Sequence, residues 1–137
     1  MKFSLVLVLG LLFSVGIVPF AHASSDISIS PPTTVDTTGH PITSYGVGQE
    51  IGIQSVLANH GTTNQKFSYL VQVNDPNGVT DYFAATSASM LGNQSFTATQ
   101  VWIPKETGTY TIQVFVWDSL ASAIPLTDVL QKQVTVS

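Results

Sequence analysis

The stretch Trp102-Ile-Pro-Lys-Glu-Thr-Gly-Thr-Tyr110-Thr-Ile112-Gln-Val114-Phe-Val116-Trp117 decides the fold. From Tyr110 onward every second residue is apolar, so Tyr110, Ile112, Val114 and Val116 share one face of an extended chain. Thr111, Gln113, Phe115 and Trp117 share the other. Pro104 and Gly108 punctuate the approach to this strand. A helical period does not fit; a half-buried β-strand does.

The same period-two reading extends in both directions. Ile27 and Ile29 alternate with polar neighbours until Pro31-Pro32 ends a first edge strand, and residues 33–46 read as an irregular connection. Ile51, Ile53 and Leu57 mark a second strand ending at Asn59-His60-Gly61, and Phe67, Tyr69, Val71 and Val73 mark a third. Asp75-Pro76-Asn77-Gly78 is a turn, because proline presets φ at its second position and glycine accepts positive φ. A weaker fourth strand runs over residues 79–85. After Leu91-Gly92-Asn93-Gln94 comes a fifth over 95–103; the strand at Tyr110 is the sixth. A last strand covers about 128–136. Seven or eight short strands with hairpin-scale turns predict an all-β, antiparallel, immunoglobulin-like two-layer sandwich. The expected division is residues 24–46 as edge strand and connection, and 47–137 as the sandwich proper.

Met1-Lys2, an apolar run from Phe3 to Phe20, and Ala21-His22-Ala23 have the order of parts of a secretory signal peptide over residues 1–23. The run is also close to the roughly 20 apolar residues that cross a bilayer, so a retained anchor is the competing reading. Either way the expected location is secreted, extracellular or in the cell envelope.

The chain contains no cysteine. A domain of this size buries a core without crosslinks, and blue-copper, thiolate-zinc and thiol chemistry are excluded. From Ser24 onward three lysines face eight acidic residues, a net charge of −5, with no arginine anywhere. That balance argues against nucleic acid as a partner, and against an anionic membrane surface except through an uncleaved signal segment.

The segment 102–116, together with Val47-Gly48-Gln49-Glu50-Ile51 leading to Asn59-His60-Gly61, resembles the immunoglobulin-like and adhesion-related (CARDB-type) sandwich domains of secreted prokaryotic surface proteins. The resemblance covers about residues 47–136. It implies the sandwich fold, a tyrosine corner at Tyr110, and Ile112 packing where antibody domains place a cysteine. Trp102 lies on the fifth strand, so Tyr69 or Phe67 fills the space of the antibody core tryptophan. A fold analogy transfers no chemistry.

Catalytic and metal constellations are poor in the sequence. His40 and His60 occupy separate loops and Met90 stands alone, so no cofactor is expected. Asp75, Asn77 and Asp81 do not have the spacing of a calcium loop. Glu106 and Asp118 bracket the sixth strand, about 30 Å apart at 3.3 Å per residue, too far for paired-carboxylate chemistry. Asn93-Gln94-Ser95 is an N-glycosylation acceptor in form; its other reading is an ordinary turn asparagine.

The remaining candidates are surfaces. The loops near His60, near Asn93 and over 119–127 are expected at one end of the sandwich. There Leu120, Ile124 and Leu126 either cap the core or meet a partner. Phe115 and Trp117, on the outer face beside Leu70, are either covered by the 33–46 connection or meet another molecule. The expected role is a non-enzymatic module for binding, adhesion or surface structure, with protein or carbohydrate at the cell surface as partner. The alternative is a small exported metal-binding or redox accessory protein.

Overall fold

The computed structural model describes residues 25–137; the signal segment expected over 1–23 lies outside the described residues. The described residues form eight strands and no helix: β1 (Ile27–Ile29), β2 (Thr33–Val35), β3 (Ile51–Asn59), β4 (Gln65–Asn74), β5 (Thr80–Met90), β6 (Ser95–Trp102), β7 (Gly108–Trp117) and β8 (Leu130–Val136). They make two four-stranded sheets. In the first, β3 pairs with β6 along one side, while β1 and β2 pair successively with residues 57–59 and 52–54 along the other. The second has the order β5-β4-β7-β8. Every strand pair is antiparallel.

The alternation read from the sequence becomes the core. Ile51, Ile53 and Leu57 face Tyr69, Val71, Val73, Ile112 and Val114 across the layers, all fully buried. Trp102 lies among them, its ring edge-on to Tyr110 at 5.0 Å, and its indole N–H donates to Asp81 Oδ2 at 2.9 Å. Phe67 and Tyr69 fill the third-strand space as expected. The Tyr110 hydroxyl donates to the Glu106 carbonyl at 2.9 Å, which closes the tyrosine corner. Burial raises the Tyr110 pKa, with the nearby carboxylates Asp81, Glu106 and Asp75 adding to the effect.

Two strand readings change. Residues 33–46 are not wholly irregular: β2 pairs with β3, Val35 bridges Pro41, and Tyr45 forms a parallel bridge to Val136. The connection thus passes from the first sheet to the edge of the second. Three residues, Thr-Thr-Val, are too few to display a period. The fourth strand runs to Met90 rather than residue 85, because Thr86, Ser87, Ala88 and Ser89 pair fully with β4 while showing little apolar contrast. The 75–78 turn is as expected: Asp75 Oδ1 accepts the amides of Asn77 (2.8 Å) and Val79 (2.9 Å), and Gly78 has φ 81°. Its carboxylate is engaged by the hairpin.

The two ends of the sandwich differ in what they carry. Ile27 pairs with Asn59 at the end holding the 60–64 loop, whereas Val136 pairs with Gly108 at the opposite end, beside the 75–78 turn.

Candidate binding end and outer sheet face

The loops after β3, β5 and β7 meet at one end, as the strand count predicts. Asn59 organises the first two. Although it reads as a loop residue in Asn-His-Gly, it is the last residue of β3 and only 3% exposed. Its amide nitrogen donates towards the carbonyls of Thr63 (2.8 Å), Met90 (3.2 Å) and Leu91 (3.2 Å), and its Oδ1 accepts the Gly61 amide at 3.0 Å. Two N–H groups serve three carbonyls, so one bond is shared. Main-chain bonds from Asn93 N to Gly61 O (3.0 Å) and Asn59 N to Gln94 O (2.9 Å) complete the clasp. Gly92 makes the approach possible: a Cβ there would lie 2.5 Å from the Thr62 carbonyl carbon.

The expected site residues fall as follows. Asn93 is exposed with φ 62°, the left-handed geometry of a turn asparagine, so its side chain reaches solvent at the tip of the β5–β6 turn. His60 Nε2 lies 2.9 Å from Ser28 Oγ, and His40 Nδ1 lies 2.7 Å from Thr38 Oγ1. The Asp36 carboxylate beside His40 is held down to about 2 by the Thr38 hydroxyl, then by the His40 and Thr38 amides.

Leu120 and Ile124 do not cap the core: they are 52% and 56% exposed, and of the three loop hydrophobics it is Leu126 that packs against the interior. The reason lies in Asp118, whose role the sequence did not reveal. Its Oδ1 accepts the amides of Ser119 (2.6 Å) and Ile124 (3.1 Å) and the Ser122 hydroxyl (2.8 Å); Oδ2 accepts the same hydroxyl at 2.9 Å. Asp118 N also bonds to Ile124 O at 2.9 Å. The loop closes on its own carboxylate and leaves Leu120 and Ile124 outside. The Ser122 hydroxyl first, then the Ile124 and Ser119 amides, lower the Asp118 pKa despite partial desolvation.

Phe115 and Trp117 do share the outer face, in register with Leu70 and Ser68 of β4. The 33–46 connection does not cover them, because it lies along the first sheet and the β8 edge. Phe115 is nevertheless only 9% exposed and Leu70 is fully buried, with the Trp117 ring 5.5 Å from that of Phe115. Phe115 is therefore a packed residue of the face rather than an open contact; Trp117 is half-buried. Among the described residues no group of three or more His, Cys, Asp or Glu side chains is arranged to hold a metal ion.

Neither a family model nor a curated protein matches the sequence. Solved structures do match the fold. The CARDB domain of a Pyrococcus furiosus protein, solved in complex with di-metal ions, superposes with a TM-score of 0.60 at 20% identity, over 82% of this chain and 89% of that one. A β-glucosidase from Listeria innocua matches with a TM-score of 0.62 at 13% identity, over 83% of this chain and 16% of the enzyme. An alkylpurine DNA glycosylase from Pseudomonas fluorescens matches at 0.59 and 11% identity, over 85% of this chain and 32% of that protein. The protein thus has an immunoglobulin-like β-sandwich fold similar to that of the CARDB domain, a fold that also occurs as a minor part of much larger chains.

Proposed function

We propose that the chain is an exported, non-catalytic binding module of the cell envelope or exterior that engages protein or carbohydrate through the loop end of its sandwich. The observation that carries this reading is the β7–β8 loop. Seven residues are folded around the Asp118 carboxylate so that two large aliphatic side chains stand in solvent on a rigid base. Ordered loops on a fixed scaffold lose little entropy on binding, which favours recognition. The absence of arginine and the net negative charge direct the proposal away from nucleic acid. The order of parts in residues 1–23 supports export.

The test replaces Leu120 and Ile124 together by serine in the exported chain. The expected outcome is an unchanged melting temperature, with loss of retention on envelope preparations and of crosslinking to surface material on intact cells. Retention equal to that of the unsubstituted protein refutes the loop end as the binding surface. Recovery of the chain only from the cytoplasm refutes export.

A further inference from the structure

The four outer strand edges of the sandwich are not equally protected. Exposed edges invite pairing with another chain, and proteins blunt them with short strands, proline, charge or a covering segment. At one side, β1 and β2 are three residues each and are separated by Pro31-Pro32. The β8 edge carries Lys132 and is bridged by Tyr45, whose carbonyl also accepts the Ser137 amide at 3.0 Å. On the remaining side β5 has such devices only at its start, where Asp81 sits at a register irregularity opposite Val73 and Asn74; the rest of β5 and the β6 edge show none. From Tyr82 to Pro104 the sequence has no Asp, Glu, Lys, Arg or His, and no proline before 104.

Among the described residues β5 pairs on one side alone, with β4, and its register there is unbroken from Tyr82 to Met90. At eleven residues it is the longest strand, about 35 Å of ladder, and every residue before Met90 is exposed or half-exposed. It is also held firmly. The Gln100 side-chain amide donates to the Thr86 hydroxyl, and the Trp102 indole donates to Asp81, so β5 is tied across the open side to β6. An edge that is fixed and, from Tyr82 onward, regular and uncharged is a template for strand addition.

We infer that β5 pairs with β5 of a second copy of this chain, antiparallel about a two-fold axis, joining the two β5-β4-β7-β8 sheets into one. The occupant follows from charge. The chain is net negative, residues 82–104 on this side carry no ionised group, and an axis through Ala85 sets Asp81 against the partner's Ser89 rather than another charge, so self-association is least repelled here. Centring the axis on Ala85 pairs Tyr82–Ala88, the part of β5 beyond the irregularity at Asp81, with itself. Ala85 then faces its own counterpart, and Phe83, 52% exposed, gains the partner's Ser87 as a neighbour on the outer face. The small side chains at 85, 87 and 89 let the strands approach to normal spacing.

Sedimentation over a wide concentration range tests this on the exported, processed chain. A reversible dimer is expected, with Ala85→Lys raising its dissociation constant about tenfold by placing like charges opposite each other. Gln131→Lys on the far β8 strand leaves the dimer unchanged. Because the protein has no other cysteine, Ala85→Cys gives a disulfide-linked dimer under mild oxidation. Melting temperatures of the variants establish that each is folded. A chain that stays monomeric throughout and does not crosslink at position 85 overturns the inference. So does a dimer that Ala85→Lys leaves intact, or a β5 edge occupied only by a strand from a different protein.

Discussion

Replacing Asn59 by alanine removes the clasp between the β3–β4 loop and the β5–β6 turn without touching the apolar core. The side chain makes two N–H donations spread over three carbonyls and accepts one amide. At about 1 kcal/mol net per hydrogen bond the loss is about 3 kcal/mol. Water reaches the Thr63 and Leu91 sides more readily than the buried Met90 carbonyl, so the groups left behind are not all orphaned. For a domain of this size each kcal/mol lowers the melting temperature by about 4 °C, giving a fall of about 12 °C. Asn59→Asp is a sharper probe, since it has the same shape but loses both donors and sets a buried negative charge against three carbonyl oxygens. It is expected to destabilise more than alanine at neutral pH. Thermal melts supply the magnitude, and amide hydrogen exchange at Gly61 and Asn93 supplies the location. An alanine variant within 1 kcal/mol of the parent, with exchange at those amides unaltered, would refute the clasp.

Tyr110→Phe removes the 2.9 Å bond to Glu106 while keeping the ring against Trp102, and is expected to cost about 1 kcal/mol, read as a melting temperature about 4 °C lower. Gly92→Ala forces a Cβ to within 2.5 Å of the Thr62 backbone and is expected to destabilise by about 1–3 kcal/mol, with accelerated exchange confined to residues 60–64 and 91–94. Asp36 and Asp118 have lowered pKa values in the folded protein, so their support for the 36–40 and 118–124 loops is complete above the ordinary aspartate value of 3.8. It is lost as pH falls through the folded values, about 2 for Asp36. Amide shifts of Thr38 and Ile124, which donate to the two carboxylates, are expected to move over that window when followed in acid.

The core was legible because its determinants are local. Alternation at Ile51, Ile53 and Leu57, at Phe67 to Val73 and at Tyr110 to Val116 states which face is buried before any partner strand is known. The tyrosine corner was legible from Tyr110 and the turn that precedes it. Strand β2 was not, since three residues carry no period, and β5 was cut short because alanine and serine give no contrast between its faces. The site was harder. Asn59 sits in a tripeptide that reads as a turn, yet its partners at Met90 and Leu91 are more than thirty residues away. Asp118 followed by Ser119 and Ser122 is a local pattern of carboxylate and hydroxyls that could have been read as a self-closing loop. With that reading, Leu120 and Ile124 would have been placed in solvent from the start.

The opposed positions of Ile27 and Val136 have a mechanical consequence. Tension transmitted along the backbone from one to the other runs nearly parallel to the strands. It meets the β1–β3 and β7–β8 ladders sideways, so that their bonds resist together rather than unzipping singly. Three residues of β1 yield well before seven of β8. Under load the amino-terminal strand is therefore the element that shears away first, and the remaining seven strands keep the tyrosine corner and the aromatic core intact.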